Sequence, residues 1–252
     1  MNDKKMVRNY LFIFFVALLV RTINLLFIDN TGSHALMEDA LIYWEGAQSW
    51  KESGFFSRTV NETFFPETER VPIYFILLLF IRSFLSEALI ATLFCQAILD
   101  SVSCVIIYRL GTMINKQTGL FSAIFSIFSF NLILHSSFIL TETLFLFFMC
   151  CLLLFSAEFV LKFSWKSVIS VGIFCGLAIM TRSIVFLLPI AIAILGPVIT
   201  YIQSRNWIRG VNAGLVVLVI SGVITSPILY RNWTQFNSLH LTSQNGVFFL
   251  DW

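Results

Sequence analysis

The sequence predicts an all-α, polytopic membrane protein of about seven transmembrane helices, with a large first outer loop. Three observations carry that prediction. Hydrophobic residues make up 58% of the 252 and charged residues only 12%, with 28 phenylalanines, which is more apolar surface than a water-soluble core of this size hides. The apolar residues fall in runs of spanning length, about 20 residues each. The short connections between those runs carry paired lysines and arginines that all fall on one side of a membrane.

At the N-terminus, Lys4, Lys5 and Arg8 precede an apolar run from Tyr10 to Ile28. That run is longer than a signal-peptide core and no small-x-small cleavage site follows it, so it reads as a retained first helix. Next comes the charged and aromatic loop, Asp29 to Arg70. Inside it lies Met37 to Ala47; if that segment is a helix, Asp39, Tyr43 and Ala47 fall on one face, presenting a carboxylate and a phenol together. Val71 to Leu85 is apolar but too short to cross, which favours a re-entrant or interfacial segment. Further spans are expected at 87–110, 117–136, 141–161, 167–181, 184–202 and 211–229.

The ambiguous piece decides the topology. With 71–85 kept on the outer face, Arg109 with Lys116, Lys162 with Lys166, and Arg205 with Arg209 join Lys4, Lys5 and Arg8 in the cytoplasm. Counting it as a span would put those pairs outside, against the positive-inside rule. The expectation is therefore a plasma (inner) membrane protein with a cytoplasmic N-terminus. The outer face then receives the 29–70 loop, the turn from His135 to Glu142, the turn at Arg182, and the tail from Arg231. Asp39, Glu142, Arg182 and Arg231 thus converge on one interface, where such a set accepts a proton at one point and holds an anion at another.

Composition excludes other classes. The net charge is +2 and the basic residues are scattered, so no nucleic-acid partner is expected. Cys95, Cys104, Cys150, Cys151 and Cys175 sit inside apolar runs without metal-ligand spacing, and read as small buried residues. Asp100 falls near the middle of its span, where a charge is costly; it is expected to play a structural part against other helices, bonding Ser101, Ser103 or a water. His135 reads as an interfacial residue. The loop aromatics Tyr43, Trp44, Trp50, Phe64 and Phe65 suit either sugar stacking or headgroup anchoring. Asn61-Glu62-Thr63 and Asn232-Trp233-Thr234 match the glycosylation acceptor pattern.

Several short motifs occur in order along nearly the whole chain. They are Arg21 late in the first helix, Asp39-x-x-x-Tyr43-x-x-x-Ala47, Arg70-x-Pro72-x-Tyr74, Thr141-Glu142-Thr143-Leu144, Gly176-Leu177-Ala178 with Thr181-Arg182, and Pro227-x-x-x-Arg231-Asn232. On these the chain resembles the membrane glycosyltransferases of the GT-C superfamily, in the family 39-type branch that contains protein O-mannosyltransferases and lipid A aminoarabinose transferases. Ile228 departs from the pattern, standing where such proteins often carry tryptophan.

The resemblance implies transfer of a sugar from a polyprenyl phosphate carrier to an acceptor at the outer membrane face. In such enzymes the aspartate of the first outer loop is the catalytic base, a role that falls by motif to Asp39. Glu38, Tyr43, Arg70, Tyr74, Glu142, Arg182, Arg231 and Asn232 are the expected substrate-binding residues. The chemistry suits them: a phosphate leaves as a stable anion, so one carboxylate suffices to activate the acceptor hydroxyl, while arginines neutralise the departing phosphate. Arg182 and Arg231 are the first candidates for that, with Arg70 behind them. Glu142 is equally well read as complementing a helix dipole. Terminal arginines also snorkel at interfaces, and only the side they share with Asp39 raises Arg182 and Arg231 above that. The residues name no cofactor; a divalent metal is left open.

The expected partners are the lipid bilayer and the lipid-linked sugar donor. A transporter or flippase would need ionisable groups near the midplane, for which Asp100 is the one strong candidate, and a non-catalytic scaffold would need no Asp39. Proteins of the resembling family continue beyond the Pro-x-x-x-Arg-Asn region. Residues 1–252 are therefore expected to form the N-terminal part of a GT-C-like transmembrane domain, with the catalytic loop at 29–70, as a fragment with little or no transferase activity alone.

Overall fold

A computed structural model describes residues 3–27, 33–36, 39–85 and 87–243. Its elements, in order, are α1 (Asp3–Phe27), a 3-10 turn (Ser33–Leu36), α2 (Asp39–Ser53), β1 (Ser57–Val60), β2 (Thr63–Pro66), α3 (Ile73–Phe84), α4 (Ala88–Ile114) and α5 (Lys116–Ile127). After these come α6 (Phe130–His135), α7 (Glu142–Leu161), α8 (Trp165–Ile179), a second 3-10 turn (Ser183–Val185), α9 (Leu188–Ser204) and α10 (Trp207–Phe236). Among the described residues, five helical stretches are long and apolar enough to cross a membrane: 4–27, 88–114, 142–161, 183–202 and 207–236. The fold is almost wholly helical, and the chain is a multi-pass membrane protein.

Two compact units divide the chain, one of residues 1–66 and 74–150, the other of 67–73 and 151–252. In the first, α1 packs on α4 and α5 through a core of Ile13, Ala17, Cys104, Tyr108, Ala123 and Ile127. Asn115 makes the corner between α4 and α5, its side-chain oxygen accepting from the Thr118 N–H at 2.8 Å to cap α5. In the second unit, α10 packs on α8 and α9 through glycines. A Cβ at Gly176 would lie 2.9 Å from Ile224 Cβ, and one at Gly210 would lie 2.5 Å from Pro197 Cα. Small residues four apart let these backbones approach in the way membrane helices pack.

The 29–70 loop holds the expected helix as α2. It also holds a hairpin that composition does not announce, with Ser57 opposite Pro66 and Val60 opposite Thr63. Its two-residue turn, Asn61-Glu62, has φ of 48° and 63°, the left-handed pair that a tight antiparallel hairpin requires. Ser49 and Thr59 hydroxyls meet at 2.7 Å, as do those of Ser53 and Ser57, and so β1 is tied to α2. The segment 71–85 forms the twelve-residue α3. At that length it runs about 18 Å, against about 30 Å of hydrocarbon.

The span expected at 117–136 is not one helix. It breaks after Ile127 and restarts as the six-residue α6, and a buried arginine from α1 donates to the Ser126 and Ile127 carbonyls at the end of α5. Asp100 does face another helix, as expected, but with a different partner from the serines or water anticipated. Its partner is Arg21, whose Nε donates to Asp100 Oδ2 at 2.7 Å, while Ser101 and Ser103 donate to carbonyls of their own helix.

Candidate functional site

In the first unit, Asp39 opens α2 and is exposed, a carboxylate in the first turn where the helix dipole favours it. Glu38 lies outside the described residues. The face predicted to unite Asp39 with Tyr43 and Ala47 exists, but Tyr43 and Ala47 are buried. The Tyr43 ring stands edge-on to Tyr74 at 5.2 Å between centroids and lies 5.2 Å from Phe75. Only Asp39 of the three reaches solvent.

Tyr74 is wholly buried, and its hydroxyl donates to Gln96 Oε1 at 2.5 Å. The Gln96 amide nitrogen in turn donates to the carbonyls of Phe138 at 2.6 Å and Ser136 at 3.3 Å. Burial first, then the neighbouring Tyr43 and Glu142, push the Tyr74 pKa well above its ordinary value, so the phenol remains a neutral donor. Glu142 is half-buried at the first position of α7. The Ile139 N–H donates to Ala35 O at 3.1 Å, which fixes the 135–141 turn against the lead-in to α2.

Sequence reasoning passed over two residues here, Gln96 and Arg82. Arg82, near the end of α3, donates to Trp44 O at 3.2 Å and Gln48 Oε1 at 2.7 Å, and its guanidinium lies 4.0 Å over the Trp44 ring. It holds α2, and with it Asp39, on α3. The signal for both was an isolated polar side chain in an apolar run, which lipid tolerates only when it is bonded.

In the second unit, Glu67 is buried and folds its own turn, with Oε1 accepting from the N–H groups of Glu69 at 2.7 Å and Arg70 at 3.2 Å. Arg231 donates through Nη2 to Glu67 O at 2.5 Å and through Nε to Asn232 Oδ1 at 3.0 Å. The Asn232 amide nitrogen donates to His240 O at 2.6 Å and Leu241 O at 3.3 Å. The Ser243 N–H closes the group on Thr68 O at 2.7 Å. The short segment from Glu67, the end of α10 and the strip 240–243 are therefore one stitched surface. Arg70 is half-buried in it, and Arg182 is exposed just before the second 3-10 turn.

Beside this surface is a cavity of about 380 Å³, lined among others by Ile179, Pro189, Ser221, Thr225, Leu229 and His240. Its walls are mostly apolar, with the hydroxyls of Ser221 and Thr225 among them. Among the described residues no three His, Cys, Asp or Glu side chains gather as a metal centre would need. Asp100, the candidate for a transport reading, is tied to Arg21, with side chains 1% and 0% exposed.

The sequence profile of one protein family, described as Dolichyl-phosphate-mannose-protein mannosyltransferase, matches residues 70–231. The match begins at Arg70 and ends at Arg231, and takes in Tyr74, Glu142 and Arg182; Asp39 and the rest of the outer loop precede it. No curated protein and no solved structure matches the chain.

Proposed function

Because the chain belongs to the dolichyl-phosphate-mannose-protein mannosyltransferase family, membrane glycosyltransferases that use a lipid-linked sugar, we propose that it moves a sugar from a polyprenyl phosphate carrier to an acceptor at the outer membrane face. Asp39 is the base that takes the proton from the acceptor hydroxyl. As the oxygen attacks the anomeric carbon, the bond from that carbon to the carrier phosphate breaks, and the phosphate leaves as an anion. No strong acid is required for that departure. Arg231, held by Glu67 O and Asn232, is the preorganised cation for the phosphate, with Arg182 and Arg70 adding charge. The cavity near Leu229 and Thr225 takes the first isoprenoid units of the carrier.

The observation that carries this reading is the family match over 70–231, bounded by two of the arginines expected at the phosphate. An exposed carboxylate at the start of α2, on an element clamped by Arg82, supports the base assignment. The test is mass spectrometry of envelope glycans and lipids from cells carrying the wild-type gene, Asp39→Asn or no gene. Asp39→Asn is expected to reproduce the deletion profile, a loss of at least about a hundredfold in the sugar-bearing product, with protein abundance and polyprenyl phosphate binding retained. A wild-type profile from Asp39→Asn would end the base assignment. Identical profiles with and without the gene would end the transferase reading itself.

A further inference from the structure

Arg21 is fully buried in α1, and five acceptors surround its guanidinium. Nε donates to Asp100 Oδ2 at 2.7 Å; Nη1 donates to Ile127 O at 2.6 Å and, at a longer 3.5 Å, to Ala17 O; Nη2 donates to Ser126 O at 3.0 Å and to Cys104 Sγ at 3.3 Å. A guanidinium has five N–H groups, so each has a partner here. Asp100 cancels the charge. The other contacts do something charge pairing does not need.

Ser126 and Ile127 are the last two residues of α5, so their carbonyls have no amide further along the helix to receive. The Phe128 N–H turns back to Ile124 O, and α6 starts only at Phe130. In an apolar surrounding a helix cannot end with open carbonyls. Arg21 supplies the missing donors from a neighbouring helix. Past the break, α6 leads into the turn 136–141, whose Ile139 N–H bonds Ala35 O and whose Ser136 and Phe138 carbonyls receive Gln96. Ala35 stands four residues ahead of Asp39.

We propose that Arg21 is a positioning residue: by capping α5 it holds the chain broken at 128–129, and so sets the turn 136–141 against the approach to Asp39. The effect on transfer rests on the reading of Asp39 as the base; the capping does not. Lysine cannot substitute, since an ammonium pairs with Asp100 as a point charge but lacks the planar fork that reaches two carbonyls on the other side.

Hydrogen exchange by mass spectrometry on the full chain in lipid nanodiscs tests this. In Arg21→Lys, which keeps the charge for Asp100, exchange at the Ile139 amide is expected to rise about tenfold through local opening, while amides of α4 around Ile106 stay as in wild type. Arg21→Met/Asp100→Leu removes the buried pair without leaving a lone charge, so it inserts, and it is expected to show the same rise. Unchanged exchange at Ile139 in these variants would overturn the proposal and reduce the pair to a tie between α1 and α4. A rise spread equally over α1, α4 and α5 would overturn it too, since that reports general unfolding. Asp39→Asn is expected to leave Ile139 exchange unchanged, so a failure of the transferase reading does not mimic a failure of this one.

Discussion

At the scale of single residues, several buried polar side chains are bonded in connected sets. Tyr74, Gln96 and the carbonyls of Ser136 and Phe138 form one such set. Tyr74→Phe would leave Gln96 Oε1 buried without its donor, at a cost of about 1–3 kcal/mol. Thermal unfolding in detergent should show that loss, and Tyr74→Phe/Gln96→Leu should not recover it, because the Ser136 and Phe138 carbonyls would then lose the Gln96 amide as donor. The same phenol has a pH signature. Its folded pKa is raised above the ordinary 10.0 by burial, so below that value the group is neutral folded and unfolded alike. Above it the unfolded chain sheds a proton that the folded chain keeps, and stability falls as pH rises. In Tyr74→Phe the alkaline decline should be shallower; an identical decline would show that the Tyr74 phenol contributes nothing to it.

At the scale of elements, side-chain volume decides which helices touch. α2 lies against α3 because Gly46 leaves room for Phe75, whose Cε1 would be 2.5 Å from a Cβ there. Arg82 then locks the pair through Trp44 and Gln48, so Arg82→Ala should speed amide exchange in α2 more than in α4. Two glycines of α10 provide an internal comparison. A methyl at Gly210 meets Pro197 Cα at 2.5 Å, whereas nothing lies within 4 Å of one at Gly222. Gly210→Ala should destabilise by about 1–3 kcal/mol through overpacking. Gly222→Ala should be neutral or slightly stabilising, since alanine is the better helix former. Equal melting shifts in the two variants would contradict the close α9–α10 approach.

At the scale of the whole molecule, the prediction is topological. From the basic pairs of the short connections, Lys116, Lys166 and Arg209 are expected in the cytoplasm, and Glu45 with the tail after Arg231 outside. That arrangement requires α3 not to cross, which its twelve residues favour. Impermeant thiol labelling of single cysteines introduced at positions 45 and 116, in a background without the native five, checks it. Label at 45 alone is expected; label at 116 alone would invert the topology and remove the outer-face chemistry with it.

Periodicity and composition determined what depends on local chain properties. Long apolar runs announced the helices α1, α4, α7 and α10, since lipid admits few other structures, and the spacing of Asp39, Tyr43 and Ala47 says which residues share a face once α2 is helical. The ordered motifs announced the family, now matched over 70–231. Tertiary structure decided what depends on partners remote in sequence. No local signal says that Arg21 meets Asp100 and the end of α5, so 117–136 read as one span when it is two helices. Nor could spacing alone show that Tyr43 is spent on packing against Tyr74 while Asp39 stays exposed, because a helix face becomes core or surface only when another element arrives to cover it.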